Sequence, residues 1–258
     1  MKSLKILLTN ERGCFDAGIL ALARVLSTRH RVCIVAPLQP NAGIGHALTT
    51  AKPLRAEQYF ALSKVKIFGV NGTPCDCVGL ALSCLLKSKP DLIISGIDSK
   101  HNRSETILSS GVTCSSILGT VHGIKSIAVS SDMGEVTNEN EFMPMARAVN
   151  TLLEGWYNTL QKDTTLNVNF PKKFNLKKIK PTHITTNIVE NTYFHEVNPF
   201  NQDYYWMKNL PTGYKLDALE DRGDIYWLKQ GYITLTPLKY NLTNLDAFNV
   251  LEKSKISV

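Results

Sequence analysis

The stretch Leu4–Gly18, LKILLTNERGCFDAG, decides the fold predicted for this chain. It begins with apolar residues interrupted by a single lysine, the pattern of a strand buried in a parallel sheet. A short polar turn follows at residues 10–13, and an apolar pattern with helical spacing begins near Asp16. In such a strand–turn–helix unit the turn lies at the carboxyl end of the strand, where open α/β sheets bind ligands. Glu11 and Arg12 are therefore the first candidate site residues.

Strands and helices alternate through the first 170 residues, which predicts an α/β fold with a doubly wound, mostly parallel sheet. Further strands are expected at residues 31–36, 65–70, 91–95, 126–130 and 166–170. Helices are expected at residues 19–28, 74–87, 111–118 and 141–159.

The second part of the chain has a different character. We expect one domain over residues 1–258, with a Rossmann-like core at 1–170 and a β-rich arm with closing strands at 171–258. The strand-like segments of this part are residues 183–189, 204–207 and 231–237. Its aromatic residues suit an exposed hairpin arm that buries itself on another subunit, and packing on the chain's own core is an equal alternative.

Composition indicates an ordinary globular protein. Apolar residues make up 43% of the 258 and charged residues 20%, and no run approaches the roughly 18 apolar residues of a membrane span. Residues 1–3 lead directly into the first strand and leave no room for a signal peptide, so we expect a cytoplasmic location and no membrane partner. The six cysteines are scattered, and Cys75-x-Cys77 lacks zinc-site spacing, so we expect reduced, structural thiols.

The net charge of +7 favours acidic partners such as phosphates. Much of the excess lies in a proline-bounded loop, at Lys172, Lys173, Lys177, Lys178 and Lys180. The two interpretations are a solvated loop and a nucleic-acid surface. No interleaved aromatic residues or nucleic-acid motif accompany these lysines, which favours the solvated loop.

Chemistry-bearing residues collect in loops at predicted strand ends. The sequence has no Walker loop, no Gly-x-Gly-x-x-Gly fingerprint and no Gly-x-Ser-x-Gly elbow, and His46 and His101 suit ordinary loop positions. The candidate phosphate-binding residues are Asn41 in the second loop, Asn102 in the third, and Ser109, Ser110 and Gly111 at a helix start. Loops from successive parallel strands converge on one edge, and helix-start amides hold anions, so phosphate or nucleotide binding is plausible there.

Together these stretches resemble the SurE family of survival-protein nucleotidases. The matching segments run in order along nearly the whole chain: LLTN with a charged pair and Gly, VAPLQPNAGIGHALTTAKPLR, VNGTPCDCV, PDLIISGID, SSGV, LNVNFP, the YYW segment and GYITLTPL. The resemblance implies a Rossmann-like core with a swapped C-terminal arm, homodimers or tetramers, and a divalent metal such as Mg²⁺ or Mn²⁺. It also implies hydrolysis of phosphate monoesters, chiefly nucleoside 5′- and 3′-monophosphates.

The family's metal ligands are two adjacent Asp, a Ser in the second loop and the Asn after Ser-Gly-Ile. Carried across, they fall on Glu11, Arg12, Ala42 and Asp98, and none keeps the family's residue. Glu11 and Asp98 still offer carboxylate oxygens. Ala42 lacks the hydroxyl, and Arg12 places a permanent cation near the metal position.

Two arrangements of these residues are open. Arg12 can pair with Glu11 and Asp98 and fill the place of the metal, or it can swing out and leave the two carboxylates to hold a metal. The first predicts a catalytically degenerate relative that binds a phosphate-bearing ligand or a protein partner. The second predicts a phosphohydrolase in which Glu11, Arg12 and Asp98 form the catalytic set.

Overall fold

The computed structural model describes residues 2–134, 136, 138–186, 191–209 and 222–254. Its strands are β1 Lys5–Thr9, β2 Arg31–Pro37, β3 Ala56–Tyr59, β4 Lys66–Val70, β5 Leu92–Asp98, β6 Lys125–Ser131, β7 Thr165–Phe170, β8 Ile179–Pro181, β9 Asn191–Val197, β10 Asp203–Asn209 and β11 Ile233–Leu238. Its helices are α1 Ala17–Leu26, α2 Pro74–Leu80 with a π-helical turn at Ala81–Leu85, α3 Thr106–Ser109, α4 Gly111–Val121, α5 Glu139–Trp156, α6 Asp224–Lys229 and α7 Leu245–Lys253.

Nine strands form one sheet in the order β3-β4-β2-β1-β5-β6-β7-β11-β8. The central neighbours pair in parallel, and the antiparallel pairs are β3 with β4 and β7 with β11. The predicted α/β class with a mostly parallel, doubly wound sheet is confirmed.

The strand β1 shows why helices cover both faces of the sheet. Successive strand residues point to opposite faces. Ile6 and Leu8 are buried in a cluster with α1 and α5, whereas Leu7 is buried in a second cluster with α2. A strand that is apolar on both faces needs a helical layer on each, which is the physical basis of the doubly wound arrangement.

The strand order places a ligand crevice at the centre of the sheet. β1 lies between β2 and β5, so the chain leaves β1 toward one side and returns as β5 on the other. The carboxyl ends of β1 and β5 therefore flank a topological switch point, where open α/β sheets bind ligands. Glu11 follows β1 by two residues and Asp98 ends β5, so both lie at this crevice.

The predicted strand at residues 183–189 is wrong for residues 183–186, which have no strand structure. The carboxylate of Asp224 accepts hydrogen bonds from the backbone amides of Thr185 at 3.1 Å and Ser104 at 3.0 Å. This segment is thus fixed by a side chain rather than by a strand ladder. Residues 187–189 lie outside the described residues. The helices α6 and α7 stand where the sequence predicts only strands and loops.

The strands β9 and β10 form a separate antiparallel hairpin of seven residue pairs. Most of its large side chains are exposed; Phe200 at its tip is 84% exposed, Tyr205 65% and Trp206 64%. The described part of the hairpin therefore presents these rings to solvent instead of burying them on the chain's own core.

None of the described helices is both long and apolar enough to cross a membrane.

Candidate functional site

The centre of the site is a pair of buried carboxyl groups. Glu11, after β1, is 5% exposed and Asp98, at the end of β5, is 3% exposed. The two side chains are hydrogen-bonded to each other. The structure thus brings together the two oxygen ligands that the sequence predicts.

Burial in the same crevice raises the pKa of both carboxyl groups. Burial and the neighbouring Asp98 charge together raise the pKa of Glu11 to about 8, and the hydrogen bond from the Gly111 amide opposes that rise. Burial also raises the pKa of Asp98, while the Lys100 amide and the nearby Arg12 charge oppose that rise. The hydrogen bond between the two carboxyl groups raises the pKa of Glu11 and lowers that of Asp98, which favours protonated Glu11 beside ionised Asp98.

Arg12 does not fill the space between the two carboxyl groups. Its Nε lies 3.2 Å from Oδ2 of Asp16, and its side chain is 28% exposed. Asp16 is fixed in turn as the N-cap of α1, since its Oδ1 accepts a hydrogen bond from the Gly18 amide at 3.0 Å. A cap residue therefore holds the guanidinium to one side of the pair, near enough for its charge to oppose the rise in the pKa of Asp98.

The turn that carries Glu11 and Arg12 is closed by Asn10. The Asn10 side chain donates to the Gly13 carbonyl and accepts from the Gly13 amide, each at 3.0 Å. Gly13 has a φ of 123°, a conformation open to glycine and strained for other residues. The two site residues thus stand on a rigid turn rather than on a flexible loop.

The start of α4 holds Glu11. The Gly111 amide donates to Glu11 Oε2 at 2.7 Å, and the Val112 amide also bonds this carboxyl group. A Cβ on Gly111 would lie 2.9 Å from Glu11 Oε2 and 2.8 Å from Pro74 Cγ, so the close approach requires glycine. Ser110 caps the helix by accepting from the Thr113 amide at 3.1 Å. The first amides of α4 are thus already bonded, and an anion reaches them only if Glu11 moves.

The second loop reaches the site through its backbone. The Asn41 amide donates to the Glu11 carbonyl at 2.7 Å, while the Asn41 side-chain amide donates to the Gln39 carbonyl. Ala42 is exposed and adds no side-chain oxygen. Ser109 is exposed as well, and its hydroxyl donates to the Thr106 carbonyl at 3.2 Å.

Asn102 is held by a buried polar network. Its backbone amide donates to Ser130 Oγ at 3.1 Å and Asn169 Oδ1 at 3.0 Å. Its carbonyl accepts from the side-chain amides of Asn167 at 2.7 Å and Asn169 at 2.9 Å. Its own Nδ2 is buried and has no partner among the described residues. A buried donor without a partner is costly, which makes this group a candidate contact for a ligand oxygen.

Three members of this network are not among the residues that the sequence predicts for the site. They are Ser130 on β6 and Asn167 and Asn169 on β7. The available signal is the alternation in LNVNF, which places two amides on one face of a buried strand. Amides at such positions need partners, so the alternation points to a polar network.

The two histidines of the loops lie outside this arrangement. His101 bonds the Phe170 carbonyl through Nε2 at 2.8 Å, and burial lowers its pKa to about 4. His46 is exposed. Neither histidine is part of a group of three or more His, Cys, Asp or Glu that could hold a metal, and no such group exists within the described ranges.

The chain is similar to proteins of one known family over nearly its whole length. The family described as "Survival protein SurE" matches residues 6–193. The 5′-nucleotidase SurE of Thermoanaerobacter sp. (strain X514) is 35% identical over 259 residues, covering 99% of this chain and 100% of that protein. The 5′-nucleotidase SurE of Caldanaerobacter subterraneus subsp. tengcongensis is 33% identical, with 100% of both chains covered. The crystal structure of SurE from Aquifex aeolicus aligns with a TM-score of 0.75 at 30% identity, covering 97% of this chain and 99% of that one.

Proposed function

Because the chain belongs to the SurE family, we propose that it is a phosphohydrolase that releases phosphate from nucleoside monophosphates or similar monoesters with a divalent metal ion. The observation that carries the proposal is the meeting of two buried carboxyl groups, Glu11 and Asp98, at the switch point of the sheet. The names of the Thermoanaerobacter and Caldanaerobacter relatives support the substrate class.

The donor set fits Mg²⁺ or Mn²⁺. Two hydrogen-bonded, buried carboxyl groups repel each other when both are ionised, and a cation relieves that repulsion. Mg²⁺ is ordinarily held by one or two carboxylates together with water and substrate phosphate. Glu11 and Asp98 would hold the ion, and it would supply positive charge against the negative charge that develops on the phosphoryl group.

The chain's own groups position the phosphate. Asn102 offers its unpartnered Nδ2 as a donor to a phosphoryl oxygen, and the surrounding network keeps this residue in place. Arg12 is the second such group, since a turn of its partly exposed guanidinium from Asp16 would bring it to a bound phosphate. The start of α4 fixes the carboxyl group of Glu11, which would hold the ion, through the hydrogen bond from the Gly111 amide.

A catalytically degenerate relative is the second candidate function. The observations that favour it are the guanidinium of Arg12, close enough to lower the pKa of Asp98, and the missing oxygen at Ala42. In that case Arg12 and Asn102 bind a phosphate-bearing ligand without hydrolysing it, or the protein surface around these residues binds a protein partner.

Phosphate release separates the two candidates. Nucleoside 5′- and 3′-monophosphates and a generic aryl phosphate are incubated with native protein, with and without Mg²⁺ or Mn²⁺. The Arg12→Asp, Ala42→Ser double variant runs beside it, with His46→Asn as a matched loop control. The proposal predicts metal-dependent turnover by the native protein and by the control. Phosphate release by the double variant but not by the native protein would contradict the proposal and support the catalytically degenerate relative.

We also propose that the chain assembles into a homodimer or tetramer through its C-terminal part. The exposed aromatic side chains of the β9–β10 hairpin support this, as does α7, where no residue is buried and Leu245, Phe248 and Leu251 are exposed. Sedimentation equilibrium tests the proposal. Tyr205→Ser with Trp206→Ser should lower the mass of the assembly, and a native protein that sediments as a monomer would overturn it.

The cytoplasmic location is likewise a proposal. All six cysteines are free thiols, which suits a reducing compartment. Cell fractionation with a specific antibody tests it, and recovery of the protein outside the cytoplasmic fraction would contradict it.

A further inference from the structure

A basic cleft lies at the opposite end of the sheet from the carboxyl pair. Its volume is about 560 Å³, and it opens at the amino ends of β1, β2 and β4. Five cationic residues line it: Lys5, Arg31, Lys64, Lys66 and Lys87. None of its described lining residues is acidic. The strand β1 runs from Lys5 at the cleft to Thr9, or about 13 Å at roughly 3.3 Å per residue, and Glu11 lies beyond its far end, so the cleft is at the opposite edge from the proposed catalytic site.

The cations of the cleft repel one another. Lys5 and Arg31 are register partners on neighbouring parallel strands, whose backbones lie about 4.8 Å apart. Lys5 Nζ donates to Ser88 Oγ at 2.9 Å, a neutral partner. Among the described residues, none of the five cations forms an ion pair. The nearby carboxylate of Asp91 accepts the Lys5 backbone amide at 2.8 Å and lies outside the lining. A bound anion would relieve this repulsion.

His30 adds a buried donor to the same cleft. It lines the cleft and is 5% exposed. Its Nδ1 accepts a hydrogen bond from the Leu4 amide at 3.2 Å, so in the neutral ring Nε2 carries the hydrogen. Nε2 is buried and has no partner among the described residues. An unpaired buried N–H is costly, and a ligand oxygen would satisfy it.

The cleft also has an apolar part. Phe68 of β4 and Leu85 and Leu86 after the π-helical turn line it, and all three are partly buried. An inorganic ion gains nothing from contact with such an apolar surface. An aromatic or other apolar group on the ligand would cover it and add a hydrophobic contribution to binding.

We propose that this cleft is a second ligand site, which binds an organic polyanion made of several phosphate charges and an aromatic group, as in a nucleoside triphosphate. The phosphates lie among the lysines and Arg31 and accept the hydrogen bond from His30 Nε2. The aromatic group packs against Phe68 and the two leucines. The site is distinct from the carboxyl pair and does not depend on hydrolysis there.

Calorimetric titration in EDTA tests the proposal, with ATP and inorganic tripolyphosphate as probes. The variants are Arg31→Glu with Lys66→Glu, and His30→Asn, which keeps an acceptor for the Leu4 amide but lacks the Nε2 donor. Lys172→Glu with Lys173→Glu carries the same charge change on an exposed loop and is the matched control. Asp98→Asn separates the cleft from the catalytic edge.

We expect one ATP per chain, bound at least tenfold more weakly by the Arg31, Lys66 variant and about threefold to tenfold more weakly by His30→Asn. The loop control and Asp98→Asn should bind within twofold of native, and tripolyphosphate should bind native at least fivefold more weakly than ATP. Equal losses in the two charge-reversal variants, or no binding by native, would overturn the site. Equal binding of the two probes would overturn the role of the apolar part. A loss confined to Asp98→Asn would place the binding at the catalytic edge.

Discussion

Asp16 controls where the guanidinium of Arg12 lies, and replacing it tests the proposed site. Asp16 Oδ2 is 3.2 Å from Arg12 Nε, while Oδ1 caps α1 by accepting from the Gly18 amide at 3.0 Å. Asparagine keeps an oxygen for the cap and removes the charge. Asp16→Asn should therefore leave α1 folded and free Arg12 to move toward Asp98, where its charge already opposes the rise in pKa that burial causes.

The magnitude follows from two interactions. A partly exposed ion pair such as Arg12–Asp16 contributes about 1 kcal/mol at most. Its loss changes the ratio of the two Arg12 positions, beside Asp16 and between the carboxyl groups, by roughly fivefold. Two unit charges about 4 Å apart interact by about 4 kcal/mol at an effective dielectric near 20, and a divalent ion doubles this. A guanidinium between Glu11 and Asp98 thus excludes the metal. Asp16→Asn should weaken Mn²⁺ binding by about fivefold.

Calorimetric titration with Mn²⁺ on four proteins checks this: native, Asp16→Asn, Arg12→Gln and the double variant. Arg12→Gln should bind Mn²⁺ at least tenfold more tightly than native, since the competing cation is gone. In that background Asp16→Asn should change affinity by twofold or less. The reasoning is refuted if Asp16→Asn weakens binding equally in both backgrounds, because its effect would then not pass through Arg12.

Three further predictions concern Gly111, Asn102 and His101. Gly111→Ala should lower the free energy of unfolding by about 1–3 kcal/mol in urea titration and weaken Mn²⁺ binding, because the added Cβ meets Glu11. Gly79→Ala is the control: its Cβ would have nothing within 4 Å, so it should stabilise α2 by about 0.5–1 kcal/mol. Asn102→Ala should raise the KM for a nucleoside monophosphate about tenfold with little change in Tm, because the backbone makes the structural bonds; an unchanged KM would contradict it. The pKa of His101 is about 4 in the folded protein and near 6.5 in the unfolded chain. The unfolded chain therefore binds the proton first, and the free energy of unfolding falls as the pH drops from 6.5 toward 4. Urea titrations at pH 7 and 4.5 should show that His101→Gln removes about 2–3 kcal/mol of that fall, and the same pH dependence in native and variant protein would refute this.

The fold was largely predictable because local patterns report it directly. The buried strand at residues 4–8 and the alternation of strands and helices give the parallel sheet, and the sheet topology gives the edge at which Glu11 and Asp98 meet. The segment at 183–186 was not predictable, because its backbone is bound by Asp224, a partner about 40 residues away along the chain. No residue of the helix α7 is buried, so no contact with the core of this chain indicates what the helix does.

The sequence predicts that Glu11 and Asp98 lie at the same edge of the sheet, but not where the side chain of Arg12 lies. The sequence places Glu11, Arg12 and Asp98 at one edge, yet leaves open whether Arg12 fills the space between the two acids. That choice depends on the N-cap geometry of Asp16, which accepts the Gly18 amide and pairs with Arg12 at the same time. The polar network around Asn102 also needs three dimensions, since Ser130 and Asn169 reach it from two other strands.

In the proposed function, Glu11 and Asp98 hold a divalent ion for phosphate-ester hydrolysis. The most direct measurement is phosphate release from a nucleoside 5′-monophosphate after metal removal with EDTA and stepwise return of Mn²⁺, for native protein and Asp98→Asn. The account predicts that native activity returns with saturable Mn²⁺ dependence and that Asp98→Asn is at least a hundredfold slower at the same Mn²⁺. Equal rates for the two proteins, or native turnover that persists in EDTA, would contradict it.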